Sequence, residues 1–197
     1  MKNILLLTLF STICSLGIVG TAHAEKADSE KEAIITARSG HVDDVKQVRT
    51  LTGDVVLVKG TLTMKAGRAL ITEDPQGYQF ITFWADPGKL ATFRQKRDGA
   101  GDLWVEGEAE RVEYDNKTEV VKLFSKAKLT RLEGTKVTDV ANGAFISYDS
   151  RKEVFAMENS DSGTSTADGG SVRMVIQRKT KAPAAEKAPA TPASGNK

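Results

Sequence analysis

Tyr114-Asp115-Asn116-Lys117-Thr118-Glu119-Val120 returns 34 residues later as Tyr148-Asp149-Ser150-Arg151-Lys152-Glu153-Val154. In each copy an apolar alternation runs up to the Tyr, four polar turn formers follow, and a second alternation starts at the Val. This is the pattern of a β-hairpin. A chain that repeats one hairpin unit stacks strands in a regular array, and such arrays build long surfaces rather than compact catalytic pockets. A fainter copy lies 72 residues earlier, at Val42-Asp43. The same offset sets Leu51 under Leu123, Gly53 under Ser125, Val55 under Ala127 and Leu57 under Leu129. After a slip of two residues, Gly60-Thr61 falls on Gly134-Thr135, with Ala66 and Ala69 expected near Ala141 and Ala144.

Working outward, the period stays at two from about residue 32 to 178. Val55 and Leu57, then Leu62, Met64 and Ala66, alternate with polar or lysine positions, as do Val121 with Leu123 and Ile146 with Tyr148. Strands with one wet and one dry face make antiparallel sheets. Turns are marked at Lys59-Gly60, Asp74 to Gly77, Asp86-Pro87-Gly88, Arg97 to Asp102 and Glu133-Gly134. A last strand is expected over 171–178. The reading is all-β, with about 12–16 short strands curling into a flattened roll, because an alternating sheet must cover its dry face. The expected dry set is aliphatic with few large aromatics: Val55, Leu57, Leu62, Met64, Ile71, Phe80, Phe93, Val112, Leu123, Leu129, Ile146, Phe155 and Met157.

The two ends read differently. Lys2, an apolar stretch from Ile4 to Val19 and the small-x-small Ala22-His23-Ala24 make residues 1–24 a cleavable export signal, with the folded domain over 25–178. Cys14 is the single cysteine and lies inside that signal, so the exported domain rests on burial and strand pairing alone. Residues 179–197, rich in Pro, Ala and Lys, are too polar to bury a core and read as a disordered tail.

No Gly-rich phosphate loop, Gly-x-Ser-x-Gly or His-Glu-x-x-His occurs, so no enzyme, metal site or cofactor is expected. Glu106, Glu108 and Glu110 alternate along one strand and read as a solvated face, while Asp115 and Asp149 sit where Asp caps its own turn. The balance of 28 basic and 26 acidic residues, with no basic stripe among aromatics, argues against nucleic acid.

Three phrases in order resemble a known family. Leu51 to Ala66 (LTGDVVLVKGTLTMKA) is similar to the "TGNVxVxQGxxxxxAD" stretch of periplasmic lipopolysaccharide-transport proteins of the LptA/OstA type. Leu90 to Gln95 (LATFRQ) resembles that family's "PATFYQ" segment, and Val105 to Ala109 followed by Tyr114 resembles its "VEGxAxxxxY". Gly67 departs from the Asp usual there. The resemblance implies a twisted, open-ended antiparallel β-jellyroll in the periplasm. It would bind the lipid A part of lipopolysaccharide and join copies end to end between an inner-membrane bridge component and an outer-membrane receptor.

On that footing Ile35, Val55, Leu57, Leu62, Met64, Phe93 and Leu123 are expected to line a lipid groove. The edges Ala33, Ile34 and Thr36, and Val172, Met174 and Ile176, are expected to dock the next copy. Two other readings share the residues: a structural envelope repeat with a filled interior, and an exported hydrolase on a β-scaffold, which would need a carboxylate pair or nucleophile converging from loops.

Overall fold

The computed structural model describes residues 28–177, so the export signal, Cys14 and the 179–197 tail lie outside the described residues. All twelve elements are strands. They are β1 (Ala33–Thr36), β2 (Ser39–Asp43), β3 (Val48–Lys59), β4 (Leu62–Glu73), β5 (Gln79–Trp84) and β6 (Ala91–Lys96), followed by β7 (Leu103–Ala109), β8 (Arg111–Asp115), β9 (Val120–Glu133), β10 (Lys136–Asp149), β11 (Val154–Glu158) and β12 (Arg173–Ile176). The final strand is shorter than the expected 171–178, and Val172 precedes it rather than belonging to it.

Four long strands organise the rest. β3, β4, β9 and β10 each pair with one set of neighbours along one half and a different set along the other. One layer runs β2-β3-β4-β5-β8-β9-β10-β11; the second runs β1-β3-β4-β6-β7-β9-β10-β12. The long strands fold over at irregularities in register, between Thr52 and Val55 in β3 and between Gly143 and Phe145 in β10. At these folds Gly53 and Asp54 take φ of 81° and 45°, and Ser125 and Lys126 take 61° and 56°. Two successive left-handed residues bend a strand sharply. The product is a sheet folded on itself like a book, with every inner side chain facing the opposite leaf.

The repeated phrase has a repeated geometry. Asp115 lies opposite Val120, Asp149 opposite Val154 and Asp43 opposite Val48, so all three are four-residue hairpins of one register. Each ends on a left-handed residue, at Gln47, Glu119 and Glu153. In each, the Asp carboxylate accepts a backbone N–H inside the turn: from Lys46 at 3.0 Å, from Lys117 at 2.8 Å and from Lys152 at 3.0 Å.

The slip between the copies is larger than the sequence suggested. Leu57 pairs with Met64 and its counterpart Leu129 with Ala141, so Ala66 corresponds to Gly143 and Ala69 to Ile146, not to Ala141 and Ala144. The β9–β10 hairpin is longer by two residues on one arm and three on the other. One of these, Thr138, sits in a bulge between Val137 and Asp139.

Inner positions are filled by Val55, Leu57, Leu62, Met64, Ile81, Phe83, Phe93, Val105, Leu123, Leu129, Ile146 and Tyr148, each at most 2% exposed. Phe80 corrects the expected dry set. It is 40% exposed, because β5 turns Ile81 and Phe83 inward and leaves Phe80 outside. Phe155 and Met157 are only partly buried, at the end of the roll.

Candidate functional site: the apolar interior between the two leaves

The interior begins at Ile35 on β1, paired to Leu57 on β3, and ends at Phe155 and Met157 on β11. Between them the leaves meet directly. Phe93 of one leaf stacks on Tyr148 of the other with ring centroids 6.2 Å apart and an interplanar angle of 22°. Beside it, Gly107 leaves room for that ring: a Cβ at 107 would come within 2.1 Å of Phe93 Cε1 and 3.0 Å of Leu123 Cδ1.

Six of the seven residues expected in the groove, Val55, Leu57, Leu62, Met64, Phe93 and Leu123, are buried together in this interior, and Ile35 is packed against it at the open end. Ala33, Ile34 and Thr36 lie on β1, and Met174 and Ile176 on β12. β1, β2, β11 and β12 each pair on one side only among the described residues. Ile34 is 61% exposed and Ile176 70%.

Opposite the folds, the free lips of the book are held by polar contacts. Lys59 Nζ, at the tip of the β3–β4 hairpin, donates to Asn116 Oδ1 in the β8–β9 turn at 2.8 Å. Arg97, after β6, pairs with Glu153 in the β10–β11 turn. Arg131 Nη2 donates to the Glu153 carbonyl at 2.8 Å and its guanidinium lies 4.7 Å from the Phe155 ring centroid. Burial pushes the Lys59 ammonium below its ordinary pKa, against the pull of Glu119 and Asp28. Burial also lowers the Arg131 guanidinium, with Arg97 beside it adding to the effect. Arg97 Nε, Arg131 Nε and Glu153 Oε1 are buried with no partner among the described residues. These contacts were invisible in the sequence: Arg97 and Glu153 are 56 residues apart, and no periodicity relates them.

The outer face carries ion pairs in register. Glu106 pairs with Arg94, Glu108 Oε1 with Lys128 Nζ at 3.1 Å and Glu110 Oε1 with Lys126 Nζ at 2.6 Å, so the acidic strand face is a solvated ladder. His41 lies exposed on β2. Among the described residues no three metal-ligating side chains converge, and no helix is long and apolar enough to cross a membrane.

An antiparallel sheet folded on itself, with an apolar interior, polar lips and, among the described residues, edge strands paired on one side only, defines the class of protein as an all-β roll. A family model described as the LptA/(LptD N-terminal domain) LPS transport protein matches residues 34–154, and the chain belongs to this family of non-enzymatic transport proteins. It is 30% identical over 133 residues to the lipopolysaccharide export system protein LptA of Haemophilus influenzae, covering 68% of this chain and 73% of that one. To LptA of Escherichia coli K12 it is 30% identical over 136 residues, covering 67% and 71%. The fold is shared with LptH of Pseudomonas aeruginosa, the LptA-homologous periplasmic component of the lipopolysaccharide transport device. The TM-score there is 0.66 at 23% identity, over 77% of this chain and 99% of LptH.

Proposed function

We propose that the chain is a periplasmic, non-enzymatic lipid-transfer protein that takes the lipid A part of lipopolysaccharide between its two leaves. The observation that carries this reading is the apolar interior, which runs from Ile35 to Phe155 and reaches the surface at both ends. Each acyl CH₂ buried there contributes roughly 0.8 kcal/mol. Ile35, Val55, Leu57, Leu62, Met64, Phe93 and Leu123 are the residues that contact the chains, and the charged head group stays at the lips, near Lys59, Arg97 and Arg131. Since the two leaves pack directly against each other, entry of the acyl chains requires the lips to part. A polar clasp suits that motion, because half-buried ion pairs add little net stability to the closed form.

Copies join end to end through the unpaired edges and so bridge an inner-membrane component to an outer-membrane receptor, with the 1–24 signal directing export. Nothing in the chain has the pattern of a nucleotide-binding loop, so the driving energy comes from a partner.

The test is a photo-crosslinking amino acid at Phe93 in the exported protein, with Lys128 on the outer face as control. A lipopolysaccharide adduct at 93 and none at 128 is expected. The dense burial of Leu57, Leu123 and Phe93 favours one rival, a structural envelope repeat with a filled interior. That rival replaces the transfer reading if neither site crosslinks while the protein stays folded.

A further inference from the structure

The twelve strands are two copies of one six-strand unit. β1 to β4 correspond in order to β7 to β10: β1 pairs β3 as β7 pairs β9, and β2 pairs β3 as β8 pairs β9, at a constant offset of 72 residues. β5 and β6 both flank β4, just as β11 and β12 both flank β10. Fine detail repeats as well. Arg38 N–H donates to the Gly53 carbonyl at 2.9 Å, and at the matching positions Glu110 N–H donates to the Ser125 carbonyl at 3.0 Å. The Arg38–Asp54 ion pair returns as Glu110–Lys126, with its charges exchanged.

Inside the molecule the first unit joins the second by two strand pairs, β5 with β8 and β6 with β7. The counterparts of these four strands are β11 and β12 at one end, and β2 and β1 at the other. They are the same four strands that pair on one side only among the described residues.

We infer that the joint between two copies repeats the joint between the two halves: β11 pairs with β2 of the next copy, and β12 with its β1. This rests on the end-to-end assembly proposed above and adds its register. Phe93 lies opposite Gly107 in the internal joint. Phe93 corresponds to Met174, because Met64 opposite Phe93 matches Ala141 opposite Met174. Gly107 corresponds to Ile35, through Leu129 and Leu57. The intermolecular register therefore sets Met174 opposite Ile35, and by the same argument sets Ala156 opposite His41.

Side-chain size agrees with this. The large-small pair Phe93 and Gly107 is replaced by two medium side chains, Met174 and Ile35, and both face the interior side of their strands, next to Ala141 and Leu57. Met174, 41% exposed at the open end, becomes buried, and the apolar interior continues unbroken from copy to copy. Val42, 54% exposed, is covered by the same joint, as its counterpart Tyr114 is buried opposite Ile81 in the internal one.

The test uses mixed disulfides in a Cys14→Ser background. Opposed residues of an antiparallel pair have Cα atoms about 4.5–5.5 Å apart, within disulfide reach, whereas a slip of two residues along the strand puts them beyond about 7 Å. Met174→Cys protein is mixed with Ile35→Cys, Ala33→Cys or Ala37→Cys protein under mild oxidation. The Ile35→Cys partner is expected to crosslink roughly tenfold faster than the displaced ones. Ala156→Cys with His41→Cys, both on exposed positions, repeats the test without touching the interior. Faster crosslinking at a displaced position, or a Met174→Cys homodimer, overturns the register while leaving end-to-end assembly standing. No crosslink from either pair in folded protein overturns the inference. The Phe93 lipid crosslink is read separately, so failure of the joint and failure of lipid binding are told apart.

Discussion

Gly107 and Phe93 face each other across β7 and β6, and the Phe93 ring occupies the space that any side chain at 107 would need. With the ring also stacked on Tyr148 of the opposite leaf, it has no free direction in which to withdraw. Gly107→Ala is therefore expected to cost about 1–3 kcal/mol, as overpacked cores do. Thermal unfolding reads this as a lowered Tm. Adding Phe93→Leu to Gly107→Ala is expected to recover part of the loss, and strictly additive effects would place the strain elsewhere.

The Asp turns give an acid-side signature. Burial pushes the Asp115 carboxyl up, but hydrogen bonds from Thr118 and Lys117 outweigh it and leave its pKa below the ordinary value; Asp149 behaves alike through Lys152. A folded pKa below the unfolded one stabilises the fold above the unfolded value, near 3.9, and that contribution fades as pH falls through the folded pKa. Asp149→Asn keeps the capping oxygen and removes the charge. Its stability deficit at pH 7 is expected to shrink below about pH 4, as denaturant titrations at several pH values would read. Asp115→Ala loses the cap outright and is expected to cost about 1 kcal/mol.

At the lips, Glu153 stands between Arg97 and Arg131. Removing its charge leaves two guanidinium groups facing each other. Glu153→Gln is thus expected to destabilise more than Arg97→Ala, by about 1–2 kcal/mol against less than about 1. Equal denaturant midpoints for the two variants would mean that the Glu153 charge does not offset the repulsion between Arg97 and Arg131.

Phe80 and Phe83 test the parity of β5. Phe83 is 1% exposed and Phe80 40%. Phe83→Ala is expected to cost about 3–5 kcal/mol, and Phe80→Ala within about 1. Similar losses in chemical denaturation would mean that β5 faces the other way.

Much of this was legible from local pattern. The two Tyr-Asp phrases and the fainter Val42-Asp43 copy announced three hairpins of one register, because an Asp that caps its own turn, followed by a left-handed residue, needs nothing from the rest of the chain. Alternation found the inner face of β3, β4, β9 and β10 for the same reason: side-chain direction in a strand has period two. It failed at Phe80, where two Phe residues three apart, with Ile between them, satisfy either parity. The counted slip between copies failed in the β9–β10 hairpin, because an insertion shared between two arms and a bulge leaves no mark in spacing.

By itself, then, the sequence determined the class of fold, the turns, the family and most of the interior, all of which rest on short-range chemistry and on phrases kept in order. Only the tertiary structure decided which leaf each half-strand joins, how Arg97 meets Glu153 across the lips, and that the two halves share one joint whose counterparts at the ends pair on one side only among the described residues. Those facts depend on where the long strands fold at Gly53-Asp54 and Ser125-Lys126. A fold in a strand brings together residues far apart in the chain, and no local pattern encodes that distance.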